Sequence, residues 1–236
     1  MSKRPETSEQ QQQQQQHQAS KKSKVDAEVK EEDAPPLIIA VWAEKGGVGK
    51  TSIASSLAFA FGVELGIPTL LIDCDSQRSL TSFLLGGRLA EGNGKQTLTE
   101  FVQSNNTSSS GLPSTLHEQL LETWSCGPVR PAQTVALGDT LHLVPGDRHL
   151  SSFDRHICNY EALSAPGIIA YNLTGAAHLC VLATAKSIKA RVVILDLNPS
   201  GGDVNRCLVL SSSLLLLPCL CDGFSTEMME ELPSRI

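Results

Sequence analysis

Leu37-Ile38-Ile39-Ala40-Val41-Trp42, then Ala43-Glu44, then Lys45-Gly46-Gly47-Val48-Gly49-Lys50-Thr51-Ser52 is the stretch on which the fold turns. Six apolar residues in a row, half of them β-branched, read as a strand buried on both faces, as in a parallel sheet. Three glycines follow almost at once. Behind them, apolar residues at Ile53, Leu57, Ala58 and Phe61 predict an amphipathic helix over Thr51 to Phe61. Gly66-Ile67-Pro68 makes a turn, and Thr69-Leu70-Leu71-Ile72-Asp73 reads as a second buried strand. Strand, helix, strand in that order is the unit of a parallel sheet with helices on both faces. The fold class implied is α/β, a mostly parallel sheet flanked by helices in three layers.

The glycine turn carries chemistry as well as geometry. Main-chain amides from a tight turn, joined to the positive end of the following helix, make an anion site. Gly46, Gly47 and Gly49 permit close approach of the backbone, with Val48 and Ser52 completing the loop. Lys50 would set its ammonium on the β- and γ-phosphates of a nucleotide, and Thr51 would offer its hydroxyl to Mg²⁺. A strict G-x-x-x-x-G-K-[ST] pattern is not met, because Glu44 stands where the first glycine belongs, and a second lysine, Lys45, precedes the glycines. A flexible linker is the other reading of such a loop. The strand before it and the helix after it argue against that.

Two further segments place carboxylates at strand ends. Ile72-Asp73-Cys74-Asp75-Ser76-Gln77 closes the second strand. The C-terminal edge of a parallel sheet is where open α/β folds bind ligands, although an Asp there also serves as a turn or cap residue. Val192-Val193-Ile194-Leu195-Asp196-Leu197-Asn198-Pro199-Ser200 brings Asp196 to the same edge, where it can hold Mg²⁺ directly or through water. Capping the next helix is its alternative role. Gly201-Gly202 adds flexibility after it.

The run Lys45 to Thr51 resembles the deviant Walker A motif of the ParA/MinD ATPases, the CobQ/CobB/MinD/ParA nucleotide-binding domain with its Rossmann-like P-loop architecture. The resemblance implies ATP and Mg²⁺ as ligands and a nucleotide-dependent homodimer in which Lys45 reaches the partner's phosphates. It implies that Asp75 orients the attacking water and that Asp73 supports Lys45 or the Mg²⁺ shell. Asp196 then belongs to the Walker B segment. Three positions depart from the family pattern: Ser76 and Asn198 stand where prolines are usual, and Ser213 stands where an Asp usually precedes a strand. The resemblance spans Leu37 to Leu232 and is thin from Arg88 to Thr140.

The expected function is slow Mg²⁺-dependent ATP hydrolysis driving a dimerisation switch, as in partitioning or positioning ATPases, with an unidentified partner protein. A nucleotide-binding module with little hydrolysis is one alternative, and a P-loop kinase or a metal-cluster carrier is another. A kinase lid wants arginines, and Ser76 to Asn93 holds only Arg78 and Arg88. Cluster chemistry wants more cysteine ligands than Cys219-Leu220-Cys221, whose thiols are expected to be buried and inert. The six histidines show no ligand spacing, and Arg148 and His149 read as solvated loop residues.

Composition bounds the rest. The chain has 236 residues, 41% hydrophobic, with a formal net charge of −6. Six Lys or Arg and seven Asp or Glu fall before residue 37, against totals of 19 and 25, so the body is acidic and shows no basic patch for DNA. Residues 1–36, with Gln10 to Gln16 unbroken, read as a disordered tail; residues 37–236 read as the P-loop ATPase domain. Lys21-Lys22-Ser23-Lys24 is a weak nuclear signal, more simply a solvated charge cluster. No stretch is apolar enough to span a bilayer, and seven scattered cysteines suit reduced thiols, so a cytoplasmic location is expected. Family members continue for several further strands and helices, including the adenine-gripping segment. The domain is therefore expected to be partial, with incomplete C-terminal strands. Further helices are expected over Leu98 to Gln103, Thr115 to Trp124, Leu173 to Lys189 and Ser225 to Leu232. Further strands are expected at Leu141 to Val144, Arg191 to Asp196 and Leu214 to Leu217.

Overall fold

A chain whose central strands are apolar on both faces must cover both faces. The computed structural model describes residues 34–91, 112–113, 115–124, 128–151, 153 and 168–222, and the fold is that of the unit Pro36–Ile236. In chain order come β1 (Leu37–Val41), α1 (Lys50–Phe59), β2 (Thr69–Cys74), α2 (Ser79–Glu91) and α3 (Leu116–Trp124). Next come β3 (Val135–Ala136), β4 (Leu141–Val144), α4 (Ile168–Ser187), β5 (Val192–Leu197), α5 (Asp203–Leu210) and β6 (Leu214–Leu216). The six strands lie in the order β3-β4-β2-β5-β1-β6, all parallel except β3, which runs antiparallel to β4.

Alternation along the strands divides the core in two. Ile38 and Ala40 of β1, Leu70 and Ile72 of β2, and Val193 and Leu195 of β5 face α3, α4 and α5 through Leu116, Leu120, Cys180, Val181, Val204 and Leu208. Ile39 and Val41, Leu71, and Val192 and Ile194 face the other way, onto Ala54 and Ala58 of α1 and Leu80 and Leu85 of α2. The three-layer α/β architecture expected from the strand–helix–strand pattern is therefore present.

Several local expectations are corrected. Helix α1 buries Ala54, Ser55 and Ala58, leaving Ile53 and Phe59 exposed, so small residues let it lie close to the sheet. It runs on into a π-helical turn over Ala60–Glu64. Gly86-Gly87, read as loop residues, lie inside α2, where Leu80 and Leu85 dock the helix and packing overrides propensity. The short β3 and the helix α5 had no clear sequence signal. Strand β6 is not a buried interior strand: among the described residues it pairs only with β1, and Leu214 is 47% exposed. Cys219 and Cys221 are exposed, not buried, because they lie beyond the end of β6, where strand alternation no longer applies. The helices expected over Leu98 to Gln103 and Ser225 to Leu232, and residues 1–33 of the tail, lie outside the described residues.

Candidate functional site

The same alternation that divides the core places the carboxylates. Asp73 lies two residues past Leu71, and Asp196 two past Ile194, so both belong to the α1 face of the sheet. The register sets Asp196 level with Asp73 on one side and with Val41 on the other. Asp196 is thus at the junction between the glycine loop leaving β1 and the turn leaving β2.

The loop itself is open. Gly47 and Gly49 have φ of 77° and 89°, values that favour glycine. A Cβ at Gly46, Gly47 or Gly49 would meet no described atom within 4 Å. Gly49 is also the N-cap of α1, which has no side-chain cap and no acidic residue in its first turn. The amides at that end are left for an anion. Lys50 is buried and folds back over the loop, donating to the Lys45 carbonyl at 3.3 Å. Burial pulls its ammonium pKa down, while Asp196 and Asp75 pull it back up. Val48 is half-buried, Ser52 is exposed, and the half-buried Thr51 leads into α1.

Asp73 and Asp196 are both 1% exposed, yet their surroundings differ. Asp73 accepts from the Thr81 amide (2.8 Å), the Thr81 hydroxyl (2.6 Å) and the Asp75 amide (3.1 Å). Gly146 is packed against it so closely that a Cβ there would sit 2.7 Å from its Cγ, and the Gly146 amide donates to Thr81 Oγ1 at 2.8 Å. Burial raises the Asp73 pKa to about 6 against these hydrogen bonds. Asp196 has neither carboxylate oxygen in a hydrogen bond with any described residue. Burial pushes its pKa up to about 7; the nearby Thr51 hydroxyl draws it down without a well-formed hydrogen bond, and Asp73 and Asp75 raise it further. A buried carboxylate with no donor is costly unless a ligand completes it. Two unpartnered carboxylate oxygens beside the Thr51 hydroxyl and an uncapped amide nest fit a hard, oxygen-seeking cation accompanied by phosphate.

Asp75 is buried and accepts the Gln77 amide at 2.8 Å, while its carbonyl accepts the Arg78 amide at 2.9 Å, so it also shapes the turn it was expected to serve. Ser76 and Asn198, the two positions where the family has proline, meet: Asn198 Nδ2 donates to Ser76 Oγ at 3.4 Å. Asn205 of α5 donates to the Asn198 carbonyl at 2.6 Å and to the Ser200 carbonyl. The Lys45 ammonium pairs with Asp222, a residue with no motif around it in the sequence. Thr81, Gly146 and Asn205 were likewise invisible in the sequence, since each gains its role from a partner distant along the chain.

A glycine loop joining a central parallel strand to a helix, with a strand-end Asp beside it, defines a P-loop protein. The AAA_31 family, described as an AAA domain, matches residues 37–236, and the chain belongs to this family. Its fold is similar to a plasmid partition protein of Borrelia burgdorferi (20% identity, TM-score 0.58, covering 86% of this chain and 72% of that one). It is also similar to cobyrinic acid a,c-diamide synthase of Mycobacterium smegmatis with an ATP analogue and magnesium (22%, TM-score 0.55, 85% and 67%). A third likeness is to a Cyanothece McdA–ATP complex (19%, TM-score 0.56, 86% and 63%). At such identities these likenesses concern the fold. An uncharacterised protein of Methanocaldococcus jannaschii, MJECL24, is 44% identical over 55 residues, which are 23% of this chain and 21% of that relative. Among the described residues no helix is long and apolar enough to cross a membrane.

Proposed function

We propose that this chain binds Mg²⁺-ATP in the loop Lys45 to Ser52 and hydrolyses it slowly, using the nucleotide state to control association with a second copy and with a partner protein in the cytoplasm. The observation that carries this is Asp196: a buried carboxylate with no well-formed hydrogen bond among the described residues, level with Val41 at the end of β1, and near the Thr51 hydroxyl. In this reading the amides of Gly46, Gly47, Val48 and Gly49 and the Lys50 ammonium hold the phosphates. Thr51 and Asp196 would hold Mg²⁺, which would supply positive charge to offset that of the phosphates. Asp75 positions the water, and Asp73 keeps the turn carrying Asp75 in place through the Asp75 amide and Thr81. Catalysis is then mostly positioning and charge stabilisation, with no covalent step on the protein.

Lys45 favours a second reading. Its ammonium pairs with Asp222 of its own chain, as suits a module that binds nucleotide with little hydrolysis. Phosphate release under Mg²⁺-ATP, for wild type beside Lys45→Ala and Asp75→Ala, separates the two. Loss of turnover in both variants, with nucleotide binding kept in Asp75→Ala, supports the ATPase. Equal background release in all three supports the module, and absence of any nucleotide binding by folded wild type ends both readings.

A further inference from the structure

We infer that His117, Asp147 and His149 form a binding site for a divalent transition-metal ion of the zinc class, separate from the oxygen-lined Mg²⁺ position at Asp196. In the sequence these histidines carry no ligand spacing, since 31 positions separate them. The fold brings them together: His117 opens α3, and Asp147 and His149 lie in the turn that leaves β4.

The geometry is that of a three-ligand metal face. His117 Nδ1 lies 3.4 Å from Asp147 Oδ2, and His149 Nδ1 lies 3.0 Å from Asp147 Oδ1. One ligand atom from each residue falls within 4.8 Å of the others. Ligand bonds near 2.0–2.1 Å at tetrahedral angles put neighbouring donor atoms about 3.3 Å apart, so a small closing motion suffices to seat an ion. The donor set is selective. Two imidazoles and one carboxylate suit Zn²⁺, Co²⁺ or Ni²⁺, whereas Mg²⁺ prefers oxygen and water.

Other contacts hold the ligands in place. Asp147 also accepts from the Thr115 hydroxyl at 2.9 Å and from the His149 amide at 2.8 Å. The His117 ring is buried and stands edge-on to buried Phe153, with centroids 6.2 Å apart. The His149 side chain is 75% exposed, which leaves the remaining coordination position open to water. An ion here would clamp the start of α3 to the β4 turn, one residue from Gly146.

A staple of hydrogen bonds alone between α3 and the β4 turn is the competing account, and metal titration of the full chain decides between them. Chelator-treated protein carrying Cys219→Ser and Cys221→Ser, so that the exposed thiols do not compete, is titrated with Zn²⁺ by calorimetry and with Co²⁺ by visible absorption. The expected result is one equivalent of each ion, Co²⁺ d–d bands without thiolate charge transfer, and a Zn²⁺-dependent rise in Tm. His149→Ala, a change at an exposed position, should keep the far-ultraviolet circular dichroism and weaken binding by about ten-fold or more. His117→Gln should do the same. Millimolar Mg²⁺ should not displace the ion. Absence of binding by folded protein, or unchanged affinity in His149→Ala, overturns the assignment.

Discussion

The ends of β2 and β5 offer nearly the same feature twice. Asp73 and Asp196 are register partners on neighbouring strands, on one face, and equally buried. One is surrounded by donors, and the other has no well-formed hydrogen bond to its oxygens among the described residues. The difference lies in the path of the chain beyond each strand. After β2 the chain turns tightly through Asp75 into α2, so the Asp75 amide and Thr81 are delivered back to Asp73. After β5 it leaves through Asn198-Pro199-Ser200-Gly201-Gly202 before α5 begins; there Asn205 donates to the carbonyls of Asn198 and Ser200, and the Asn198 side chain donates to Ser76. Equal burial thus yields a carboxylate held by hydrogen bonds and a carboxylate whose oxygens lack them among the described residues.

The largest effect expected from breaking this pair is at Asp196. Asp196→Asn should cut Mg²⁺-dependent nucleotide affinity or turnover by about 100-fold. Above pH about 7, where Asp196 ionises in the folded chain, it should also leave the metal-free protein as stable or more stable, by roughly 1–3 kcal/mol, because an uncompensated buried charge is removed. Calorimetry with Mg²⁺-ATP and thermal melts in chelator measure the two halves. A variant that binds normally, or melts well below wild type, would show that Asp196 resembles Asp73 after all.

At Asp73 the sign reverses. Thr81→Val removes the 2.6 Å hydroxyl donor and should destabilise the fold by about 1–3 kcal/mol. Gly146→Ala drives a methyl into the Asp73 carboxylate and should cost a similar ~1–3 kcal/mol through overpacking. Denaturant unfolding checks both.

The pH dependence comes from the raised values. Both carboxyls sit above their ordinary 3.8, Asp73 at about 6 and Asp196 at about 7. Above 3.8 the unfolded chain gives up these protons while the folded chain keeps them. Their contribution to stability is therefore full below that point and is lost as pH rises through about 6 and then about 7. Melting of the metal-free protein from pH 4 to pH 8 should show this loss, and Asp196→Asn should flatten its upper part.

The smallest effect belongs to the bridge between the two turns. Asn198→Ala removes the 3.4 Å bond to Ser76 and should cost only about 0.5–1.5 kcal/mol. A smaller loss should appear with Ser76→Ala, because Asn198 Oδ1 also accepts from the Ser200 amide at 3.0 Å, and the double variant should lose less than the two single losses combined. Full additivity in that cycle would mean the turns are not coupled through this bond.

Much of the central sheet was legible in the sequence because its residues leave little choice. Runs such as Leu37 to Val41, Thr69 to Ile72 and Val192 to Leu195 suit strands covered on both faces, and a glycine loop between strand and helix has few other uses. Strand ends and helices docked by few residues were harder. Gly86-Gly87 signals a loop locally, and only the burial of Leu80 and Leu85 holds α2 through it. Cys219 and Cys221 needed the true end of β6.

By itself the sequence determined the α/β class, the phosphate loop, its two lysines and the candidate carboxylates, since each depends on residue type and spacing along a few contiguous positions. Only the tertiary structure decided which carboxylate is satisfied, that Lys45 rests on Asp222, that Ser76 meets Asn198, and that His117 joins Asp147 and His149. Hydrogen bonds and ligand sets between distant segments depend on strand order and on the angle at which each turn leaves the sheet, and neither quantity is written in local periodicity.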